Sequence, residues 1–228
     1  MCLSAPASFG LGAALLPAGA YCVRAAVRKN RRYLPLALVP ILFGVQQVCE
    51  GLVWMTRDRD DAALASAAAL GFLFFALSFW PFWFPLSAWC LEKRRRMRSG
   101  FAVVTFLGMA WSGLLYVPLL LRPERLGVEV VHHSIHYDYG NLAVFQFVSA
   151  EFLRVAYLLL VVLPLIVCSD WQVKRFGVLL AAAAVVSQLV FAYAFASVWC
   201  FFAALQAVYL CLAFRQLPPG RSAWQGDG

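Results

Sequence analysis

The charges of this chain are gathered into a few clusters, and between them lie seven runs that are almost free of charge. Each run is long enough to cross a hydrocarbon core of roughly 30 Å, which takes about 20 helical residues. No water is present in such a core to satisfy peptide groups, so the backbone must bond to itself, and the runs are expected to be helices. A transmembrane β-barrel would need short segments with alternating polarity, and these runs do not alternate. The expected fold class is therefore all-α, a polytopic seven-helix transmembrane bundle forming a single domain over residues 1–214. The predicted spans are about 9–27, 34–55, 62–91, 101–121, 146–168, 176–195 and 197–214. The segment Trp80-Pro81-Phe82-Trp83-Phe84-Pro85 predicts a kink or break within the third span. Residues 215–228, rich in Pro, Gly and polar side chains, are expected to form a disordered tail.

Composition leaves little room for anything else. Of 228 residues, 63% are hydrophobic and 13% charged, whereas a soluble domain is nearer half apolar and a quarter charged. The mean hydropathy of +0.77 argues against a large soluble domain. The net charge of +8 would suggest nucleic acid in a soluble protein. Here the basic residues sit between apolar runs, so they point to topology and to anionic lipid headgroups, with the bilayer as partner and no nucleic acid. The expected location is the cell membrane. Met1-Cys2-Leu3-Ser4-Ala5-Pro6 has no basic segment of the kind that opens a targeting peptide. The seven cysteines are scattered, with no Cys-x-x-Cys, and signal neither a zinc site nor a disulfide scaffold.

Orientation follows from the loops. The first, third and fifth loops with the tail hold 14 of the 19 Lys and Arg, and the second and fourth hold four. This bias places the first group in the cytoplasm. Seven spans then put the N-terminus outside and the C-terminus inside.

With that topology, the polar residues inside spans fall at similar depth, toward the external side. Gln46, Gln47, Glu50 and Trp54 lie in the outer half of the second span, with Gln47, Glu50 and Trp54 on one face. Glu151 and Arg154 lie near the outer end of the fifth, where they are one turn apart and able to pair. Gln188 and Tyr193 belong to the outer half of the sixth, and Trp199 and Cys200 open the seventh. The one long polar connection, 122–141, is also outside and carries all three histidines, His132, His133 and His136. Carboxylates in membrane helices are costly and mark functional sites by default. Glu50 has no cation within a turn, so its partner must come from another element, or it is protonated. His132 and His136 have the i, i+4 spacing that would bring both to one metal on a helix, although the local sequence suits strand or loop equally well.

Three functions follow as expectations. The external cluster binds a divalent metal or small polar ligand, and as a membrane-embedded hydrolase would use His132 and His136 as metal ligands and Glu50 and Glu151 as catalytic carboxylates. Its ligand-binding residues would be Gln46, Gln47, Trp54, Arg154, Gln188, Tyr193, Trp199 and Cys200. Alternatively, Glu50 is the protonatable gate of a transporter or sensor, or the protein is a structural or accessory membrane component. No span carries a lysine for retinal or the paired histidines of a transmembrane haem. No Walker motif, dinucleotide fingerprint or His-Glu-x-x-His appears.

The opening Met1-Cys2-Leu3-Ser4-Ala5-Pro6-Ala7-Ser8-Phe9 resembles that of an uncharacterised bacterial multi-pass membrane protein family, which reads Met-Cys-Phe-Ser-Ala-Thr-Ala-Ser-Phe. Leu3 and Pro6 depart from it. The resemblance continues through Arg32–Ala37, Gln46-Gln47 with Glu50–Trp54, His132–Tyr137 and Tyr193–Ala204, nearly the whole chain. It implies a small helical membrane protein of the bacterial inner membrane and carries no mechanism. There is also a general likeness to seven-helix metal-dependent lipid amidases, with no motif matched residue by residue.

Overall fold

The computed structural model describes residues 4–56, 62–131 and 134–217. Among these residues are nine α-helices and one β-hairpin. The helices are α1 (Ala5–Lys29), α2 (Leu34–Ala37), α3 (Val39–Thr56), α4 (Ala62–Leu73), α5 (Trp80–Leu91), α6 (Arg95–Leu121), α7 (Ala150–Val167), α8 (Trp171–Phe191) and α9 (Phe195–Gln216). Six helical segments are long and apolar enough to cross a membrane. The last runs 46 residues from Trp171 to Gln216, about twice what one crossing requires. A 3-10 turn at Ala192–Ala194 divides it, and α9 returns along α8. Trp199 Nε1 donates to the Leu180 carbonyl at 3.1 Å and Tyr209 Oη to Gln172 Oε1 at 2.8 Å.

Local chemistry sets the helix ends. Ser4 caps α1 by accepting the Ala7 amide, and Pro6 sits in the first turn, where its missing N–H costs nothing. The caps of α7 and α8 are Ser149 and Asp170. At one face of the bundle, cations close helix C-termini. Lys29 Nζ donates to the Phe214 and Arg215 carbonyls of α9 at 3.1 and 2.9 Å. Arg32 reaches Cys90 of α5, and Arg94 reaches Val167 of α7. Each meets the negative end of a helix dipole and its unsatisfied carbonyls. Glu92 lies in the same face, buried. Its carboxylate accepts the amides of Lys93, Arg94 and Ser169, the Ser169 hydroxyl and the Arg94 guanidinium. Tyr33 donates to Asp170 nearby.

Close packing relies on small residues, as expected where lipid offers no hydrophobic drive between helices. A Cβ on Gly19 of α1 would lie 2.3 Å from Ile41 Cγ1 of α3, and one on Gly108 of α6 would lie 2.1 Å from the Pro81 carbonyl oxygen of α5. Helix α1 packs on α3 and α9, α5 on α6 and α7, and α7 on α8.

The expected break in the third span lies one turn earlier than Trp80, as a π-helical turn over Phe74–Phe79. Proline explains it. In this wider register the Trp80 amide donates to the Phe75 carbonyl, so the Ala76 carbonyl would require the amide of residue 81, and Pro81 has none. Tyr157 Oη supplies the missing donor at 2.5 Å.

Three other segments take definite form in the backbone. The connection 122–141 is partly ordered as an antiparallel hairpin, β1 (Gly127–Val131) with β2 (Ser134–Asp138), in register from Gly127↔Asp138 to Val131↔Ser134. The helix that contains the fourth predicted span, 101–121, begins at Arg95, so the basic cluster forms its first turns. Arg215 and Gln216, expected in the tail, complete α9; residues 218–228 lie outside the described residues.

Candidate functional site: a cavity beneath the β-hairpin

Helices α7 and α9 both start at the face opposite the cation-capped one, and the β-hairpin packs across that end against α9 and the turn at Ala192–Ala194. Between them is a cavity of about 290 Å³. Its apolar wall comes from Leu77, Trp111, Leu115, Phe145, Leu153 and Tyr157. Its polar groups include His136 and Asp138 of β2 and Arg154 of α7. One turn pattern supplies the α7 side: Ala150, Leu153, Arg154 and Tyr157 follow i, i+3, i+4, i+7 and line a single stripe.

Each polar group is fixed in place. Arg154 Nη1 donates to Gln188 Oε1 of α8 at 2.9 Å, and its guanidinium lies 5.4 Å from the Phe195 ring centroid. Its expected partner, Glu151, is instead exposed in the first turn of α7, where the helix dipole favours a carboxylate. The ion pair found among the described residues is Arg94–Glu92, at the other end. Arg154 therefore brings a charge to the cavity that a neutral amide orients but does not cancel. His136 Nδ1 donates to the Tyr193 carbonyl at 2.5 Å, which leaves Nε2 as the basic nitrogen of the neutral ring. Asp138 Oδ1 accepts the Gly140 amide at 2.9 Å.

Of the residues expected in one cluster, His136, Arg154, Trp199 and Cys200 line the cavity. Gln188 and the Tyr193 backbone stand behind it as partners of Arg154 and His136. Trp199 is held by Leu180 and stacks on Phe195, with ring centroids 5.4 Å apart. Gln46, Gln47 and Glu50 form a separate buried group in α3. Gln46 Oε1 accepts from Trp80 Nε1 at 2.9 Å; Glu50 accepts from Ser197 Oγ at 2.5 Å and from Gln47 Nε2 at 3.3 Å. Trp54 lies further along α3, its indole nitrogen buried and without a partner among the described residues. His132 lies outside the described residues. Among those described, no three His, Cys, Asp or Glu side chains converge as a metal site would need.

Sequence reasoning missed Trp111, Tyr137, Phe145 and Tyr157. Tyr137 bridges the two groups. It lines the cavity, stacks on Phe72 with ring centroids 4.9 Å apart, and has a buried hydroxyl within electrostatic reach of Glu50. Burial first, and then the Glu50 carboxyl, push its phenol well above the usual tyrosine range.

These features define an all-α protein whose helices are long and apolar enough to span a membrane, with an aromatic, polar-ended cavity under a β-hairpin. The chain belongs to a family of unknown function, DUF6629, whose profile matches residues 1–224. No curated protein and no solved structure matches it.

Proposed function

We propose that this is a seven-span protein of a bacterial inner membrane that binds a small amphipathic ligand in the cavity, with the ligand's anionic group against Arg154. The count of seven takes the 46-residue segment as two crossings folded at Ala192–Ala194. The loop charge bias then sets the N-terminus and the cavity outside and the C-terminus in the cytoplasm. Anionic headgroups meet the basic loops at the cytoplasmic face.

The observation that carries the ligand class is Arg154. A guanidinium bound to a neutral amide, beside an aromatic wall and in no ion pair among the described residues, is a receptor for a carboxylate or phosphate. His136 lines the same cavity, where the acceptor Nε2 suits a hydroxyl or N–H of the ligand rather than its anionic group, and the remaining wall suits a short apolar chain. Cavities of this kind, mostly apolar with few convergent polar groups, are the usual form of small-molecule sites. Asp138 at the rim disfavours a second negative charge, so a monoanion fits better than a dianion.

Decanoate and decanol share a chain and differ in the head group. Decanoate is expected to raise the melting temperature of the purified protein in detergent, and decanol to do so far less. Arg154→Gln is expected to remove the difference. Equal stabilisation by both probes, unaffected by that substitution, would refute the reading.

A further inference from the structure

Glu50 is fully buried. Its oxygens receive one hydroxyl hydrogen, from Ser197, and one amide hydrogen, from Gln47. No cation pairs with it among the described residues. Helix α1 as far as Ala20, and α4, carry no ionisable side chain. Phe9 of α1 packs on Gly51, and Gly71 of α4 faces the Cys49 sulfur. Tyr137 of β2 is within electrostatic reach of Glu50, and Cys200 of α9 and Cys49 of α3 are within reach of Tyr137 in turn; all three are neutral acids that would repel a carboxylate if ionised. An unpaired charge in such an interior is relieved by neutralisation rather than tolerated.

The hydrogen bonds fit a neutral acid. Gln47 Oε1 is a buried acceptor with no partner among the described residues. Half a turn of that amide exchanges Oε1 and Nε2, atoms that occupy nearly the same shape. Oε1 then accepts an O–H from Glu50 Oε2, while Ser197 continues to donate to Oε1 of Glu50 and the amide nitrogen takes the place of the unpartnered oxygen. The second unpartnered oxygen is the Tyr137 hydroxyl, buried behind the cavity wall to which its ring belongs.

We propose that Glu50 is a proton-binding site, occupied as the neutral carboxylic acid, and that Tyr137 is the wall residue through which its proton exchanges with the cavity. The step is a proton uptake alone: a carboxylate oxygen gains an O–H bond, the proton comes from the aqueous side of the cavity, and no electrons change hands. The inference stands on the buried group and the cavity wall, whichever ligand the cavity takes.

Infrared spectroscopy of the full chain in lipid nanodiscs, with and without ¹³C-labelled glutamate, tests it without any substitution. Of the other four glutamates, Glu124, Glu129 and Glu151 are exposed and Glu92 is held ionised by its donors. A protonated-carboxyl stretch at neutral pH that shifts with the label therefore reports Glu50, and it is expected to be lost in Glu50→Gln and kept in Glu151→Gln. Tyr137→Phe keeps the ring and is expected to retain the band while slowing its exchange in D₂O several-fold. No label-sensitive band at neutral pH overturns the proton site. A band whose exchange is unchanged in Tyr137→Phe overturns the route. Neither readout involves a ligand, so both are separate from the decanoate test.

Discussion

The sulfurs of Cys22 in α1 and Cys211 in α9 lie 3.5 Å apart, although 189 residues separate them in the chain. Cys211 also reaches the Ala18 carbonyl, so the first long helix and the last share a seam. A disulfide bond is about 2.05 Å long, so closing this pair requires the sulfurs to approach by roughly 1.5 Å. Mild copper–phenanthroline oxidation is expected to give an intramolecular cross-link, read as a mass loss of two hydrogens and a peptide pair joining α1 to α9. Cys22→Ser is expected to abolish that pair. Its absence from oxidised wild-type protein would contradict the α1–α9 seam.

Gly108 tests the contact between α5 and α6. Its added Cβ would meet the Pro81 carbonyl at 2.1 Å, while one on Gly113, also in α6, meets nothing within 4 Å. Gly108→Ala is expected to destabilise by about 1–3 kcal/mol through overpacking. Gly113→Ala is expected to be neutral or slightly stabilising, because alanine favours the helix. Thermal melting in detergent separates them, and equal behaviour of the two variants would argue against this helix pair.

Tyr157 donates to the carbonyl that the π-helical turn and Pro81 leave without an amide. Tyr157→Phe strands that carbonyl in an apolar setting, at a cost of about 1–3 kcal/mol. Protection of the Phe74–Trp80 amides from hydrogen exchange is expected to fall more than that of α1. A uniform change along the chain would show that the hydroxyl does not hold this turn.

Glu92 makes stability depend on pH. Burial raises its acidity constant's midpoint, but the Ser169 hydroxyl, the Arg94 and Ser169 amides and the Arg94 side chain outweigh burial and hold it at about 2, below the ordinary 4.5. A carboxyl whose folded value is depressed adds stability that is complete above the unfolded value and is lost as pH falls toward the folded one. The melting advantage of wild type over Glu92→Gln is therefore expected to be full above about pH 5 and to shrink between about 4.5 and 2. A pH-independent advantage would show that the ionised carboxylate is not what holds Ser169.

The apolar helical segments were legible in the sequence because a membrane helix is defined by a run of residues, a local property. The break in the third was legible in kind, since Pro81 forbids a regular bond, but its displacement to Phe74–Phe79 depends on how the turn widens upstream. The hairpin was not legible: Val130, Val131 and Ile135 suit strand and loop alike, and its pairing across 132–133 is visible only in the backbone. The cavity was half legible. Arg154 was identified as a polar residue of the outer half, but pairing it with Glu151 used chain proximity, whereas the structure joins it to Gln188, 34 residues on. Trp111 and Phe145 are ordinary aromatic residues until packing gathers them. Tyr157 had a signal, the i, i+3, i+4, i+7 stripe with Ala150, Leu153 and Arg154.

Lys29, Arg32 and Arg94 each close the carbonyl end of a helix other than their own neighbour in sequence. Positive loops are usually regarded as a signal read once, during insertion. In the proposed topology the same side chains also serve as clasps between helices, so neutralising one is expected to change both how the chain enters the membrane and how firmly it stays assembled. Mutational drift in these loops is thereby constrained twice, and a variant that inserts correctly can still come apart at this face.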